Sequence, residues 1–187
     1  MSHLTDSDKK ALLTLARSVI AAELVRGKKP IQPEKLSEEM TRKRGCFVSL
    51  HKTGDLRGCI GTIEPIVPVI RGIEENAKNA AFHDPRFSPL RKEELDSVDI
   101  EISILTEPRV LVFKDSDDLK HQLKPGIHGV ILSKGYQRAT FLPQVWDQLS
   151  DTEDFLSELC RKAGMGRSCW KTGGVTVSVY EVENFSE

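Results

Sequence analysis

The sequence predicts an α+β fold in which a mainly antiparallel sheet is flanked by helices. Some segments place apolar residues at helical spacing and others alternate apolar with polar residues. The two kinds of segment do not follow one another as a regular β–α–β series. With 187 residues, 39% of them hydrophobic, the chain can bury a full core as one large domain or as two lobes.

The first half of the chain predicts a helix, a β-hairpin and a second helix. Apolar residues at helical spacing, an N-cap among residues 5–7 and the stop at Gly27 define the first helix. The predicted bounds are a helix over 6–26, strands over 45–52 and 56–63 joined by a turn at 53–55, and a helix over 65–81.

The second half predicts strands and two further helices. The segment VDIEISIL alternates strictly and places Ile100, Ile102 and Ile104 in the core, with Glu101 on the opposite face. The predicted bounds are a strand over 98–105, a short helix over 116–123, a hairpin of strands 129–133 and 137–142, a helix over 151–163 and a strand over 175–182.

Composition argues against several classes of protein. The formal net charge is −1, so no overall attraction to nucleic acid or to an anionic membrane is expected. No apolar run approaches the roughly 20 residues that a membrane span needs. The polar start MSHLTDSDKK does not resemble a signal peptide, and we therefore expect a cytoplasmic protein.

The four cysteines do not predict a metal site. Cys46, Cys59, Cys160 and Cys169 include no C-x-x-C pair, so we expect neither a structural zinc ion nor another metal or cofactor. Two disulfides are possible in principle, but a reducing compartment argues against them. Cys46 and Cys160 are interpreted as packing residues.

The most informative segment is LRGCIGT, in the second strand of the first hairpin. Alternation places Arg57 and Cys59 on one face and directs Leu56 and Ile60 into the core. Glycine packs poorly in strands, so the glycines on both sides of Cys59 suggest that another group approaches the backbone there. A nearby arginine favours the thiolate, which is the reactive form of cysteine.

These residues predict a catalytic thiol with a nearby anion-binding group. Cys59 is the candidate nucleophile, Arg57 would lower its pKa or hold an anionic substrate, and Glu101 is a candidate general base. The alternative is a buried cysteine that only fills space. The residues expected to bind substrate are Gly58, Gly61, Thr62, Asp84, Arg86 and His51.

The loop HDPRFSPL provides two of these candidates. Asp84 and Arg86 lie between prolines in a rigid loop, and loops of this kind often carry function. Arg86, together with Arg57, offers a guanidinium fork for a carboxylate or phosphate. The alternative is a structural ion pair that fixes the loop.

Several segments together resemble the AMMECR1 family over nearly the whole chain. The matching segments, in order, are GCFVSL (45–50), GCIGTIEP (58–65), DPRF (84–87), DIEISIL (99–105), LPQV (142–145) and LCRKAG (159–164). The segment WDQLS (146–150) departs from the longer stretch that family members often carry there, so no site role is assigned to it.

The resemblance implies a single AMMECR1-like domain over residues 1–187, with two lobes and a cleft that holds the site. Microbial members resemble one component of a set that also contains a Memo-like protein and a radical-SAM protein. The resemblance therefore implies participation in a modification chemistry, with those two proteins as partners and an unnamed small-molecule or peptide substrate.

The leading hypothesis is an enzyme, or a component of one, that acts through Cys59. The second is a non-catalytic module in which the glycines let a peptide approach the strand. The third is nucleic-acid binding through Arg161, Lys162, Arg167 and Lys171, although a solvated face is the simpler interpretation of that patch.

Overall fold

The computed structural model describes residues 4–25 and 27–187, and these form two compact units. The first unit is the chain up to Leu105 together with Glu183–Glu187, and the second is Thr106–Val182. Antiparallel strand pairing and flanking helices confirm the predicted fold class. The cleft expected between two lobes stays a prediction.

The helices and strands follow in chain order. The elements of the first half are α1 (Asp6–Leu24), α2 (Glu38–Thr41), β1 (Cys46–Lys52), β2 (Asp55–Thr62), α3 (Val69–Phe82), a 3-10 helix (Lys92–Ser97) and β3 (Val98–Leu105). Those of the second half are β4 (Arg109–Val110), α4 (Ser116–Gln122), β5 (Gly129–Lys134), β6 (Gln137–Phe141), a 3-10 helix (Pro143–Asp147), α5 (Thr152–Lys162), β7 (Thr176–Tyr180) and β8 (Val182–Ser186).

The first sheet has the strand order β2-β1-β3-β8, so β2 lies at its edge. Its core face packs against α1 and α3, and the buried isoleucines of β3 lie on it as predicted. Thr53 and Gly54 form the two-residue loop of the β1–β2 hairpin, both with positive φ. That conformation is the usual one for such loops because its twist matches the twist of the strands.

The second sheet has the order β4-β7-β5-β6 and covers a separate core. Trp146 stacks on Phe155 of α5 with ring centroids 3.6 Å apart. Cys160 is buried as predicted, but it forms a disulfide with Cys169, so the expectation that disulfides are absent is wrong. The chain reverses after α5, where the N–H of Met165 donates to the carbonyl of Cys160, and this brings the two cysteines together.

One helix begins later than predicted. The helix expected from Pro65 begins at Val69, with Pro68 at φ −54° and ψ 145° as its N-cap. A residue before proline is steered away from helical geometry, so the pair of prolines delays the start. Arg26, where the first helix was expected to end, lies outside the described residues.

Leu56 was expected in the core, and this prediction is wrong because its side chain is 40% exposed. Leu50 pairs with Gly58, whereas His51 pairs with Leu56, so Arg57 is the extra residue of a β-bulge. A bulge interrupts the alternation of side chains, which is why the regular pattern fails on one side of it. Ile60, on the other side, packs partly buried against the core as expected.

Candidate functional site

Three polar side chains form one row across the first sheet, on the face opposite the core. Ser49 of β1 is paired with Cys59 of β2 on one side and with Glu101 of β3 on the other. Directly opposed residues project their side chains to the same face. The sequence therefore folds two of its three predicted catalytic residues into register, with a serine between them.

Ser49, which the sequence analysis missed, contacts the sulfur of the candidate nucleophile Cys59 directly. Its Oγ donates to Sγ of Cys59 at 3.2 Å, and Ser49 is buried whereas Cys59 is half-buried. A hydroxyl donor stabilises negative charge on the sulfur it contacts. The alternation of GCFVSLHK could have shown Ser49 on the face opposite the core, but only the strand register shows that it faces Cys59.

Asp84 and Arg86 hold the backbone of Cys59 at the free edge of β2. The Cys59 N–H donates to Oδ2 of Asp84 at 2.8 Å, and Nη2 of Arg86 donates to the Cys59 carbonyl at 3.1 Å. Arg86 also grips the Asp84 carboxylate, through Nε to Oδ1 at 3.0 Å and through Nη2 to Oδ2 at 2.7 Å. The pair therefore takes the place that a neighbouring strand would occupy.

This clamp is strongly charge-assisted. Asp84 is buried, and the Arg86 guanidinium holds the pKa of its carboxyl well below the usual range, helped by backbone N–H donors from Cys59 and Arg86. Asp84 in turn raises the pKa of Arg86. The structural ion pair weighed as an alternative is therefore present, and it also positions Cys59.

Arg57 is engaged by another residue that the sequence analysis did not consider. Its Nε and Nη2 donate to the two carboxylate oxygens of Glu94 at 3.2 and 3.0 Å, and Lys52 donates to the same carboxylate at 3.0 Å. Arg57 and Lys52 lower the pKa of Glu94 to about 2. The charge of Arg57 is thus largely compensated, which weakens its predicted action on Cys59.

The glycines beside Cys59 are explained by packing within the protein. A Cβ atom on Gly58 would lie 2.2 Å from the carbonyl oxygen of Ala80, because α3 crosses directly over β2. A Cβ atom on Gly61 would lie 2.3 Å from the Phe47 ring. These contacts account for both glycines without a ligand, and a role for either in substrate binding stays a prediction.

The remaining predicted binding residues lie around the row. His51 is half-buried, pairs with Asp99 and lies diagonally from Cys59, at a spacing of about 7–8 Å that long side chains can bridge. Thr62 pairs with Cys46, whose side chain lies in the core, so alternation directs Thr62 away from the row. Thr62 is therefore poorly placed to contact a substrate at Cys59.

The second free thiol contrasts with Cys59. Cys46 is buried, and burial raises the pKa of its thiol to about 11. The side-chain amide of Asn76 donates to its carbonyl at 3.0 Å and approaches Sγ at 3.5 Å. Cys46 is therefore a packing residue, as predicted.

The basic patch of the second unit is compensated by acidic neighbours. Lys171 pairs with Glu153 at 2.8 Å, and Arg161 and Arg167 both contact Glu158. Lys162 donates to the Thr140 carbonyl and lies over the Phe141 ring. Little uncompensated charge is left for a phosphate backbone, so this surface does not favour nucleic-acid binding.

Two further absences apply only to the described residues. No group of three or more His, Cys, Asp or Glu side chains among residues 4–25 and 27–187 is arranged to hold a metal ion. Within the same ranges, no helix has the length and apolar character needed to span a membrane.

Comparisons with known proteins extend the resemblance noted from the motifs. The AMMECR1 family model matches residues 13–185. The chain belongs to the AMMECR1 family. Family relatives include a protein of Methanothermobacter thermautotrophicus, 38% identical over 186 residues, which cover 98% of this chain and 96% of the relative. Protein MJ0810 of Methanocaldococcus jannaschii is 40% identical over 190 residues, which cover 100% of this chain and 94% of the relative.

A solved structure of an AMMECR1-like protein has the same fold. Uncharacterized protein PH0010 from Pyrococcus horikoshii superposes with a TM-score of 0.78 at 35% identity. The match covers 94% of this chain and 89% of that protein. Membership of the AMMECR1 family thus establishes the fold and leaves the chemistry to be argued from the residues around Cys59.

Proposed function

We propose that this protein acts in the cytoplasm through the thiol of Cys59, as an enzyme or as the cysteine-bearing component of an enzyme system. The observation that carries the proposal is the hydrogen bond from Ser49 to Sγ of Cys59 on a sheet face that is not part of the core. A half-buried sulfur with a buried hydroxyl donor is a better nucleophile site than the enclosed thiol of Cys46.

Each residue of the row has a distinct role in this proposal. Cys59 is the nucleophile, and Ser49 stabilises negative charge on its sulfur. Glu101 lies two strands away, roughly 10 Å from Cys59 by the usual spacing of strands, so a small substrate above the sheet can reach both groups. Glu101 would exchange a proton with the substrate or its leaving group.

The clamp of Asp84 and Arg86 supports this role by fixing the nucleophile. Because both backbone polar groups of Cys59 are bonded to side chains from another loop, the strand cannot shift without breaking charge-assisted hydrogen bonds. A fixed nucleophile lowers the entropic part of the reaction barrier. The same clamp occupies the strand edge at Cys59, which disfavours the alternative in which a peptide pairs with β2 there.

The proposal includes partners suggested by the family resemblance, a Memo-like protein and a radical-SAM protein. Its cytoplasmic setting is compatible with the disulfide because both Cys160 and Cys169 are buried, and restricted access slows thiol–disulfide exchange.

Alkylation followed residue by residue tests the proposal, with Cys46 as the control within the chain. Iodoacetamide at pH 7 is expected to modify Cys59 at least about a thousandfold faster than Cys46, which reacts only when the core opens. Ser49→Ala is expected to slow Cys59 about threefold through the lost hydrogen bond. Equal rates for the two thiols in the folded protein would falsify the proposal.

A further inference from the structure

We propose that the substrate attacked by Cys59 is an electrophile carrying a carboxylate or phosphate, and that this anionic group binds to Nη1 of Arg86. The inference rests on the proposed function of Cys59 and adds a substrate class to it. It also assigns anion binding to Arg86 alone, whereas the sequence had suggested Arg57 or both arginines.

The donors of Arg86 are only partly used. An arginine has five N–H donors, and its Nε–H and two Nη2–H groups can supply the bonds to Asp84 and to the Cys59 carbonyl. Among the described residues Nη1 has no hydrogen-bond partner, and the Arg86 side chain is 55% exposed. Two N–H donors are therefore open to solvent beside the nucleophile.

The orientation of these donors is fixed before a ligand arrives. Nη2 lies 3.1 Å from the Cys59 carbonyl, and Asp84, which accepts from both Nε and Nη2, is itself buried and bonded to the Cys59 N–H. A guanidinium held in this way loses little conformational entropy when an anion binds. The two N–H groups of Nη1 can each donate to an oxygen of a carboxylate or a phosphate, and the guanidinium charge strengthens these hydrogen bonds.

The competing arginine is occupied. Arg57 contacts both oxygens of Glu94, and its side chain is only 13% exposed. The other charged member of the row, Glu101, lies on the inner side of Cys59, whereas Arg86 approaches from the outer edge of β2. A positive side chain, Arg86, therefore lies on one side of Cys59 and a negative one, Glu101, on the other. An anionic substrate group is favoured on the Arg86 side.

The proposed reaction is a nucleophilic substitution at an electrophilic carbon of the anionic substrate. The thiolate sulfur of Cys59 donates an electron pair to the electrophilic carbon, and a sulfur–carbon bond forms. The bond from that carbon to its leaving group breaks, and the leaving group departs with the bonding pair. No oxidant or reductant is needed, and Arg86 contributes by holding the anionic group.

Two reagents with the same iodomethylene group, one ending in a carboxylate and the other in a neutral carboxamide, test the inference. Iodoacetate and iodoacetamide both form a sulfur–methylene bond and release iodide, but only iodoacetate carries a carboxylate. The rate ratio of iodoacetate to iodoacetamide is measured at Cys59 of the folded protein and in a peptide of residues 55–63. The peptide contains Arg57 and Cys59 but lacks Arg86, so it reports the local contribution of the sequence.

We expect the ratio to be about fivefold higher in the folded protein than in the peptide, because a guanidinium lies within a few ångströms of the incoming carboxylate. Raising KCl to 0.5 M is expected to bring the ratio down toward that of the peptide, since exposed charges are screened. Arg86→Gln is expected to abolish the difference. Arg71→Gln removes an exposed guanidinium on α3, which packs on the core face of the sheet, and is the matched control that preserves it.

The outcomes separate the inference from the function on which it rests. If neither reagent modifies Cys59 of the folded protein, the proposed function fails. If both react and the ratio equals that of the peptide at low salt, the function stands and the anionic substrate class is rejected. Continued protection of Cys46 shows that each variant is folded. If Arg86→Gln does not fold, the salt series on the wild-type protein decides whether the anionic group is bound.

Discussion

The two faces of the first sheet differ in character: one packs into the core, and the other carries the polar row of Ser49, Cys59 and Glu101. Cys46 and Cys59 lie on neighbouring strands, yet Cys46 is enclosed by helix α3 and its pKa is raised, whereas Cys59 is half-buried under a serine hydroxyl. On the core face the backbone of α3 lies against Gly58. On the other face polar groups from three strands line up in register. The comparison shows that the face of the sheet on which a cysteine lies determines whether its thiol is accessible to a reactant.

The largest expected effect concerns the close approach on the core face. Gly58→Ala would place a methyl group 2.2 Å from the carbonyl oxygen of Ala80, and rigid backbone cannot move aside cheaply. We expect a loss of about 3 kcal/mol in the free energy of unfolding, measured by urea denaturation followed by circular dichroism.

Gly166→Ala is the matched control for this substitution. Apart from the chain neighbours of Gly166, no heavy atom of the described residues lies within 4 Å of the added methyl group, so a change within about 0.5 kcal/mol is expected. A Gly58→Ala protein as stable as the control would contradict the account that the glycine exists for helix packing.

The second prediction compares the two free thiols directly. Cys46→Ser puts a hydroxyl into the core and is expected to cost about 2 kcal/mol, because a buried hydroxyl needs a strong partner. Cys59→Ser is expected to change stability by no more than about 0.5 kcal/mol, because water and Ser49 remain within reach of the new hydroxyl. Urea midpoints measure both, and equal costs would remove the distinction between the two faces.

The smallest effect concerns the clamp at the sheet edge and depends on pH. The pKa of Asp84 is held well below that of the unfolded chain, about 3.9. A carboxyl whose pKa is depressed by folding stabilises the fold above the unfolded pKa, and this contribution is lost as pH falls further. Asp84→Asn is therefore expected to cost about 1–2 kcal/mol at pH 7.

The pH series supplies the control for the clamp. Below about pH 4 the wild-type protein loses the stabilisation that comes from the Asp84 charge. The difference in urea midpoint between the wild-type protein and Asp84→Asn should therefore shrink. The loss at Glu94 affects both proteins alike and cancels in the difference. A constant gap from pH 7 to pH 3 would show that the charge of Asp84 does not stabilise the clamp.

Local pattern predicted most of the strands and helices because their signals lie within a few residues. Thr5, one of the N-cap candidates among residues 5–7, caps α1 through a capping box with Asp8. Asp151 caps α5, and Gly164 follows the helix with a positive φ, the residue types that usually begin and end a helix. The strands β4 and β8 were missed because two and five residues without a clear alternating pattern offer too little signal.

The site was only partly predictable from local pattern. Cys59 and Glu101 were placed on a polar face by alternation, and Asp84 and Arg86 by their rigid loop. Three features were out of reach because each depends on contacts between distant segments. They are the Ser49 hydroxyl on the Cys59 sulfur, the Glu94 carboxylate on Arg57, and the contact of Gly58 with Ala80.

The sequence by itself determined the α+β class, the order of most elements, the packing role of Cys46 and the membership of the AMMECR1 family. Only the tertiary structure decided the strand register, the bulge at Arg57, the Cys160–Cys169 disulfide and the clamp on Cys59. The physical reason is the sequence separation over which each kind of interaction acts. Periodicity and caps act over one or two turns, whereas Ser49 and Asp84, which bond to Cys59, lie 10 and 25 residues away from it in the sequence.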